Sequence, residues 1–342
     1  MNDYYDAKYL RAAITKITPA RLFFRNRFFT ESMTFPTKTV TFEYAKNTRA
    51  LLPFSDDHMP SPPVKRNPYQ ALTFTAPLLS GSRTITADTL AQKLIGESPY
   101  NSGMSMDERA EELALRDLME LTDALYKQEE YMCARLKQDG KFTVNATGLN
   151  TTIDYGFTQI ETVASANKWG ATSDVLGYLT KKARELRKNG INPDMLIVGH
   201  DASEALCNNE GVLKLRHDQF VDIPAPASLE DGVTFVCRLR APGLYLNVYE
   251  YDEYYEDEDG DLQPMIDPKT AILQSSREHN MMLHGAVLHI DTRTGGYVSE
   301  MREYVPYVVT HEDPPVRKLI VSSRTLPMPT DITSWITLKN VI

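Results

Sequence analysis

The sequence predicts an α+β fold, and three observations carry that expectation. One uninterrupted helical pattern runs from Ser105 to Gly140. Strand-type alternation dominates the segments on either side of it. Helix and strand patterns do not alternate regularly, as a parallel βαβ sheet would require.

The helical stretch is SMDERAEELALRDLMELTDALYKQEEYMCARLKQDG. Ser105 and Glu108 have capping-box spacing, so each side chain can satisfy an open backbone N–H of the first turn. Ala114, Leu118, Leu121, Leu125, Met132 and Leu136 recur at steps of three, four or seven and form one apolar stripe. Seven acids and two bases lie between Ser105 and Asp123, and three of each between Ala124 and Asp139. This gradient follows the helix dipole. Gly140 suits the left-handed residue that ends a helix. At 1.5 Å per residue the rod is about 50 Å long. That is longer than one compact domain needs, and it suggests a spine in a flat or elongated molecule.

Ahead of the helix, residues 1–38 read as an arm in which Arg21, Arg25 and Arg27 interleave with Phe23, Phe24, Phe28 and Phe29. Such interleaving can stack on and neutralise nucleic acid. The acidic balance of the chain and the density of rings favour packing onto a neighbouring lobe or subunit. Residues 39–92 switch to strand chemistry: Val40, Phe42 and Tyr44 alternate with polar residues, and Leu72 and Phe74 resume the alternation. Between them, Pro53, Pro60, Pro62, Pro63 and Pro68 exclude a central strand. A two-stranded excursion with a proline-rich tip results, and a hairpin this long needs another surface to rest on.

After the helix, residues 141–157 read as strand, turn, strand. Ser173–Asn189 is a second amphipathic helix, with Gly190 behind it. Met195–Val198 is a short buried strand, followed by a short helix near Ala202–Leu206. VTFVCRLR and LYLNVYEY are strands. The Asp259-Gly260 turn is expected to join a strand before it to TAILQSS after it. Residues 297–310, 316–326 and TSWITLKNV complete the strand pattern.

The chain has 342 residues, 42% hydrophobic and 24% charged, with a net charge of −9. This is ordinary for a soluble globular protein, and it argues against binding nucleic acid by neutralising phosphates. Three dispersed cysteines indicate neither a disulfide framework nor a zinc site, and point to folding in a reducing cytoplasm. No apolar run reaches the ~20 residues of a membrane span, and no signal-peptide core is present at the N-terminus.

Candidate chemistry is thin. Asp257, Asp259 and Gly260 match part of a calcium loop, but Tyr255 and Ile266 occupy its two end positions, so a solvated hairpin tip is the better reading. His279, His284 and His289 are spaced by five, which does not suit a metal site on a helix or on one face of a strand. Gly199-His200-Asp201 follows a strand without any phosphate-loop or nucleophile-elbow motif. No catalytic, cofactor-binding or metal-ligating residue is therefore assigned, no cofactor is expected, and the chain is not read as an enzyme.

Taken in order, these segments resemble the major capsid protein E family of lambda-like tailed bacteriophages. The resemblance rests on RLFFRNRFFTESMTFPTKTVTFEY, on DERAEELALRDLMELTDALYKQEEYMCARLKQDGKFTV, on DMLIVGHDASEAL and on YLNVYEYDEYYEDEDGDLQPMIDPKTAIL. It spans roughly the whole chain, and the order of the motifs is more specific than any one of them. It implies the Hong-Kong-97-like capsid fold. Laid onto this sequence, that fold gives an N-terminal arm at 1–38 and an E-loop hairpin at 39–92. A peripheral domain follows at 93–194, with the spine helix at 105–139. An axial domain takes 195–310, peripheral return strands 311–330, and a closing axial strand 331–342.

The implied function is a viral structural subunit that self-assembles, as hexamers and pentamers, into an icosahedral head around double-stranded DNA. The implied partners are other copies of the chain, a scaffolding protein, a portal protein and DNA bound without sequence specificity, with no membrane. A decoration protein is left open. The implied location is the virion, with assembly in the host cytoplasm. Phe23, Phe24, Arg25, Phe28, Lys65, Arg66 and Tyr69 are the expected assembly-interface residues. Lys65 and Asn67 lie near the loop tip, but the cross-linking chemistry of some relatives is not carried over to them. Two alternatives stand beside this reading: an encapsulin-like shell around protein cargo, and a calcium-dependent cytoplasmic hydrolase.

Overall fold

The computed structural model describes residues 7–14, 17, 22–45, 69–91, 105–146, 149–217, 221–222, 232–257, 259–291, 295–311 and 316–342. The chain forms two compact units. The first takes Met1–Val40, Thr75–Tyr131 and Met281–Met328; the second takes Thr41–Phe74, Met132–Asn280 and Pro329–Ile342.

The long helix runs from Met106 to Asp139 as one element and supplies residues to both units. Its start is the capping box expected from sequence. The Ser105 N–H donates to Glu108 Oε2 at 2.6 Å, and the Glu108 N–H donates to Ser105 Oγ at 3.2 Å. All six residues of the expected stripe are buried. The helix ends at Gly140, whose φ of +64° lies in the left-handed region. A Cβ there would also meet Phe157 Cβ at 2.4 Å, so glycine is required twice over.

In the first unit, the helix stripe packs on sheet. Leu118, Leu121 and Leu125 meet Leu10, Tyr304, Val308, Leu319 and Val321 in one core. Val305–His311, Val316–Ser323 and Leu79–Thr86 form an antiparallel sheet. Gly81 lies close beneath the helix, since a Cβ there would reach Leu121 Cδ2 at 2.8 Å. A second sheet pairs Glu31–Phe35 in parallel with Met281–Gly285, which runs antiparallel to Thr325–Met328. A separate hairpin joins Val287–Ile290 to Tyr297–Glu300. The arm contributes the helices Ala7–Ile14 and Phe23–Phe28.

The second unit is built on a seven-stranded mixed sheet. Its order is Ile160–Thr162, Ile336–Lys339, Ala271–Gln274, Met195–Val198, Leu244–Tyr251, Val233–Ala241 and Val221–Asp222. The helices Val175–Lys188, His200–Cys207 and Glu210–His217 cover one face. Leu179, Ala183, Leu186 and Leu206 meet Leu196, Val198, Leu239, Leu246, Val248 and Leu273 there. Asp174 caps the first of these helices by accepting the Gly177 N–H at 2.9 Å. Two hairpins also belong to this unit, Lys141–Ala146 with Leu149–Asp154, and Tyr254–Glu256 with Leu262–Pro264.

Met281–His311 lies in the first unit, where Met281–Gly285 is paired between Glu31–Phe35 and Thr325–Met328. The 141–157 strands and the Val175–Lys188 helix join the second unit, because that helix fills its apolar face against the seven-stranded sheet. Within the expected excursion, Thr39–Ala45 pairs with Tyr69–Thr75, whereas Leu79–Thr86 leaves it to pair with Val316–Ser323. The Asp259-Gly260 turn closes onto Leu262–Pro264. Ala271–Gln274, the strand expected after that turn, lies inside the large sheet with all four residues buried. The proline-rich run from Pro53 to Pro68 lies outside the described residues.

Candidate assembly site and its anchors

The expected interface residues begin at Phe23, the first residue of the short arm helix Phe23–Phe28. Phe23, Phe24 and Phe28 are fully buried. Phe23 packs edge-on against Phe24 and Phe28, with centroids 5.2 and 5.6 Å apart. Such geometry contributes about 0.5–1.5 kcal/mol per pair beyond burial. Their rings pack on one another and are closed to solvent.

This helix has no side-chain cap of its own at Leu22. The long helix supplies one instead. Glu130, fully buried, accepts the Phe24 and Arg25 N–H groups, each at 2.9 Å, one on each carboxylate oxygen. Adjacent Glu129, also fully buried, accepts Arg25 Nε at 2.6 Å, Tyr304 OH at 2.8 Å and Thr325 Oγ1 at 3.0 Å. Arg25 also lies over the Tyr126 ring at 5.2 Å, and Tyr126 packs on Tyr304 at 5.0 Å. Burial, and after it the Glu129 charge, hold the Tyr304 hydroxyl far above the ordinary tyrosine range, so it stays a donor. Burial lowers His284, whose Nδ1 is 3.2 Å from Thr325 Oγ1. The cluster ties the arm helix, Tyr304 and the strand that begins at Thr325 to one pair of carboxylates on the long helix.

A second buried cluster lies near the end of the long helix, within the second unit. Lys137 is fully buried and donates to Glu278 Oε1 at 2.5 Å. Glu278 Oε1 also accepts from Asn280 Nδ2 at 3.0 Å and Ser334 Oγ at 2.8 Å. The Lys137 ammonium sits 3.9 Å from the centroid of Trp335. The Lys137 carbonyl accepts Trp335 Nε1 at 3.0 Å and Thr337 Oγ1 at 2.6 Å. Lys339 pairs with Asp139, and the Asp267 N–H donates to Gln138 Oε1 at 3.0 Å. The last turn of the helix is thereby bound to the closing strand Ile336–Lys339.

Of the remaining expected interface residues, Lys65 and Arg66 lie outside the described residues, and Tyr69 is the first residue of the strand Tyr69–Thr75. Sequence reasoning named Arg25 but missed Glu129, Glu130, Tyr304, Thr325, Lys137 and Glu278. One signal was available. Glu129 stands four residues after Leu125 and three before Met132, inside the apolar stripe, where a carboxylate must be paired to be buried.

The acidic loop serves its own hairpin. Asp257 Oδ1 accepts the Asp259 and Asp261 N–H groups at 3.1 and 2.9 Å, and Oδ2 accepts Gln263 Nε2 at 3.2 Å. The backbone bond from Asp261 is the main cause of its lowered pKa. His284 and His289 are buried and His279 is exposed. Among the described residues no cluster of metal-type side chains gathers, and no helix is long and apolar enough to cross a membrane.

The fold is of the Hong-Kong-97-like capsid class. The chain aligns over 99% of its length with 99% of a prophage protein of E. coli CFT073 described as a capsid protein, at a TM-score of 0.66 and 16% identity. It aligns over 98% of its length with 97% of a phage-related protein of Bordetella bronchiseptica RB50, at a TM-score of 0.51 and 8% identity. No protein with a curated description matches the sequence. Residues 6–340 match the phage major capsid protein E family, and the chain belongs to that family. Its role is that of a capsid subunit.

Proposed function

We propose that copies of this chain assemble as hexamers and pentamers into an icosahedral phage head that encloses double-stranded DNA. Assembly takes place in the host cytoplasm on a separate scaffolding protein, with a portal protein, and the role is structural and not catalytic. The family match over residues 6–340 carries this reading. The surface supports it. On the hairpin Val287–Ile290/Tyr297–Glu300, His289 and Glu300 point inward, while Leu288, Ile290 and Tyr297 are 57, 51 and 87% exposed, with Met301 beside them at 53%. An apolar face of this kind is expected to be covered when subunits associate. The net charge of −9 supports an inner surface that contains DNA without gripping it.

Phe23, Phe24 and Phe28 are buried, and their proposed contribution is to hold the arm segment in place together with Arg25 and the two glutamates. Lys65, Arg66 and Tyr69 are the proposed contacts of the loop with a neighbouring subunit. The test is co-expression with the adjacent scaffold and portal genes, followed by sizing and electron microscopy. Megadalton shells that retain nucleic acid are the expected result. Only small soluble species under every assembly condition would refute the shell, and shells filled with a specific protein would replace DNA with protein cargo.

A further inference from the structure

We propose that the outer end of the seven-stranded sheet, on the face opposite its three helices, is a docking surface for a second copy of this chain, and that it receives that copy's acidic hairpin, Tyr254–Pro264. The proposal deepens the shell reading and rests on it.

The surface follows from strand alternation. Cys237, Leu239, Leu246 and Val248 point into the helix-covered core, so Arg238, Arg240, Tyr245 and Asn247 point to the other face. Arg240 stands opposite Tyr245, and Arg238 opposite Asn247. Both guanidinium groups flank one ring, 5.5 and 6.0 Å from the Tyr245 centroid. Arg238 Nε donates to Asn247 Oδ1 at 2.9 Å, and Asp222 is its register partner on the edge strand. Arg240 is exposed and Tyr245 is 43% exposed. Arg240, exposed and held against an aromatic face, presents a planar, pre-oriented guanidinium, which suits a carboxylate.

The chain carries the complement. The ten residues Asp252–Asp261 include seven acids and no base. Their hairpin is held by the Asp257 acceptor bonds and by Gly260 at a φ of +87°. It also presents Tyr254 and Leu262, 46 and 72% exposed, as apolar contact area beside the charge. A contact between two different surfaces of identical chains is head-to-tail. It closes into a ring when the rotation allows, which is the geometry a hexamer or pentamer needs.

The test is a charge swap during shell assembly. Arg240→Glu alone, and Asp259→Arg with Asp261→Arg, are each expected to lower the yield of assembled rings and shells about tenfold or more. Combining them in one chain should restore most of the yield. Circular dichroism and melting of the unassembled subunits establish that each variant is folded. Raising the salt concentration should weaken wild-type assembly and affect an Arg240→Gln chain less. Wild-type yields from both reversals overturn the proposal, and so does failure of the folded combined variant to recover. Normal assembly by Arg240→Glu with loss of retained DNA assigns the surface to nucleic acid and also overturns it. A wild-type chain that forms no shell refutes the shell reading, and this proposal falls with it.

Discussion

Replacing Glu129 by glutamine removes one charge and almost no volume from the centre of the first unit. Glu129 is fully buried and accepts three hydrogen bonds, at 2.6, 2.8 and 3.0 Å. Oε2 takes both Arg25 and Tyr304, and Oε1 takes Thr325. An amide placed with its nitrogen toward Thr325 lets that hydroxyl turn and accept. The other two bonds then persist as neutral-acceptor bonds. A bond to a charged group contributes about 1.5–3 kcal/mol and a neutral one about 0.5–1.5, so these two lose about 1 kcal/mol each. The Arg25 guanidinium, whose side chain is only 16% exposed, also loses its ion pair with Glu129. Breaking a buried pair by removing one partner costs about 3–5 kcal/mol, so about 3 kcal/mol is expected for this shape-conserving change. With an m-value of roughly 2 kcal/mol/M, the urea midpoint should fall by about 1.5 M.

The assay is urea unfolding of the unassembled subunit followed by far-ultraviolet circular dichroism. Hydrogen exchange at the Phe24 and Arg25 amides serves as the local probe. A double-mutant cycle with Arg25→Met should give a coupling of about 1–3 kcal/mol. A Glu129→Gln protein within about 0.5 kcal/mol of wild type, or a cycle that is simply additive, would refute the anchoring role.

Lys137→Met should destabilise by about 3–5 kcal/mol, because Glu278 is left buried without its cation; Lys137→Met with Glu278→Gln should recover much of that loss in the same urea titration. Stability should also respond to pH through His284, whose pKa burial holds below the ordinary value of about 6.5. Below that value the unfolded chain binds a proton that the folded chain does not. Stability is therefore complete above about pH 6.5 and declines as pH falls toward the lowered folded pKa. Subtracting the stability curve of His284→Gln from that of wild type should isolate this loss, and no difference between pH 7 and pH 5 would contradict it.

Much of the candidate site was not legible in the chain. Arg25 drew attention through its place among phenylalanines, but its partner Glu129 is 104 residues away, and no local pattern ties them. The phenylalanine cluster was visible as apolar and dense; which body buries it was not. A ring pattern states that a surface must be covered, and leaves the covering surface unspecified.

The sequence alone determined what depends on near neighbours. The long helix was legible to within a residue, from the Ser105–Glu108 box to Gly140, because capping, stripe periodicity and left-handed termination all act within one or two turns. The alternation of Thr39–Ala45, the 141–154 hairpin and the buried strand Met195–Val198 were legible for the same reason. Only the tertiary structure decided partnership. It sent Met281–Gly285 between Glu31–Phe35 and Thr325–Met328, and it placed Ala271–Gln274 inside the large sheet instead of across the Asp259-Gly260 turn. It also gave the long helix its two buried charged anchors, Glu129/Glu130 and Lys137. Strand pairing and burial of charge are set by whichever distant segment satisfies the open hydrogen bonds and the charge at least cost, and that comparison is made only when the whole chain has folded.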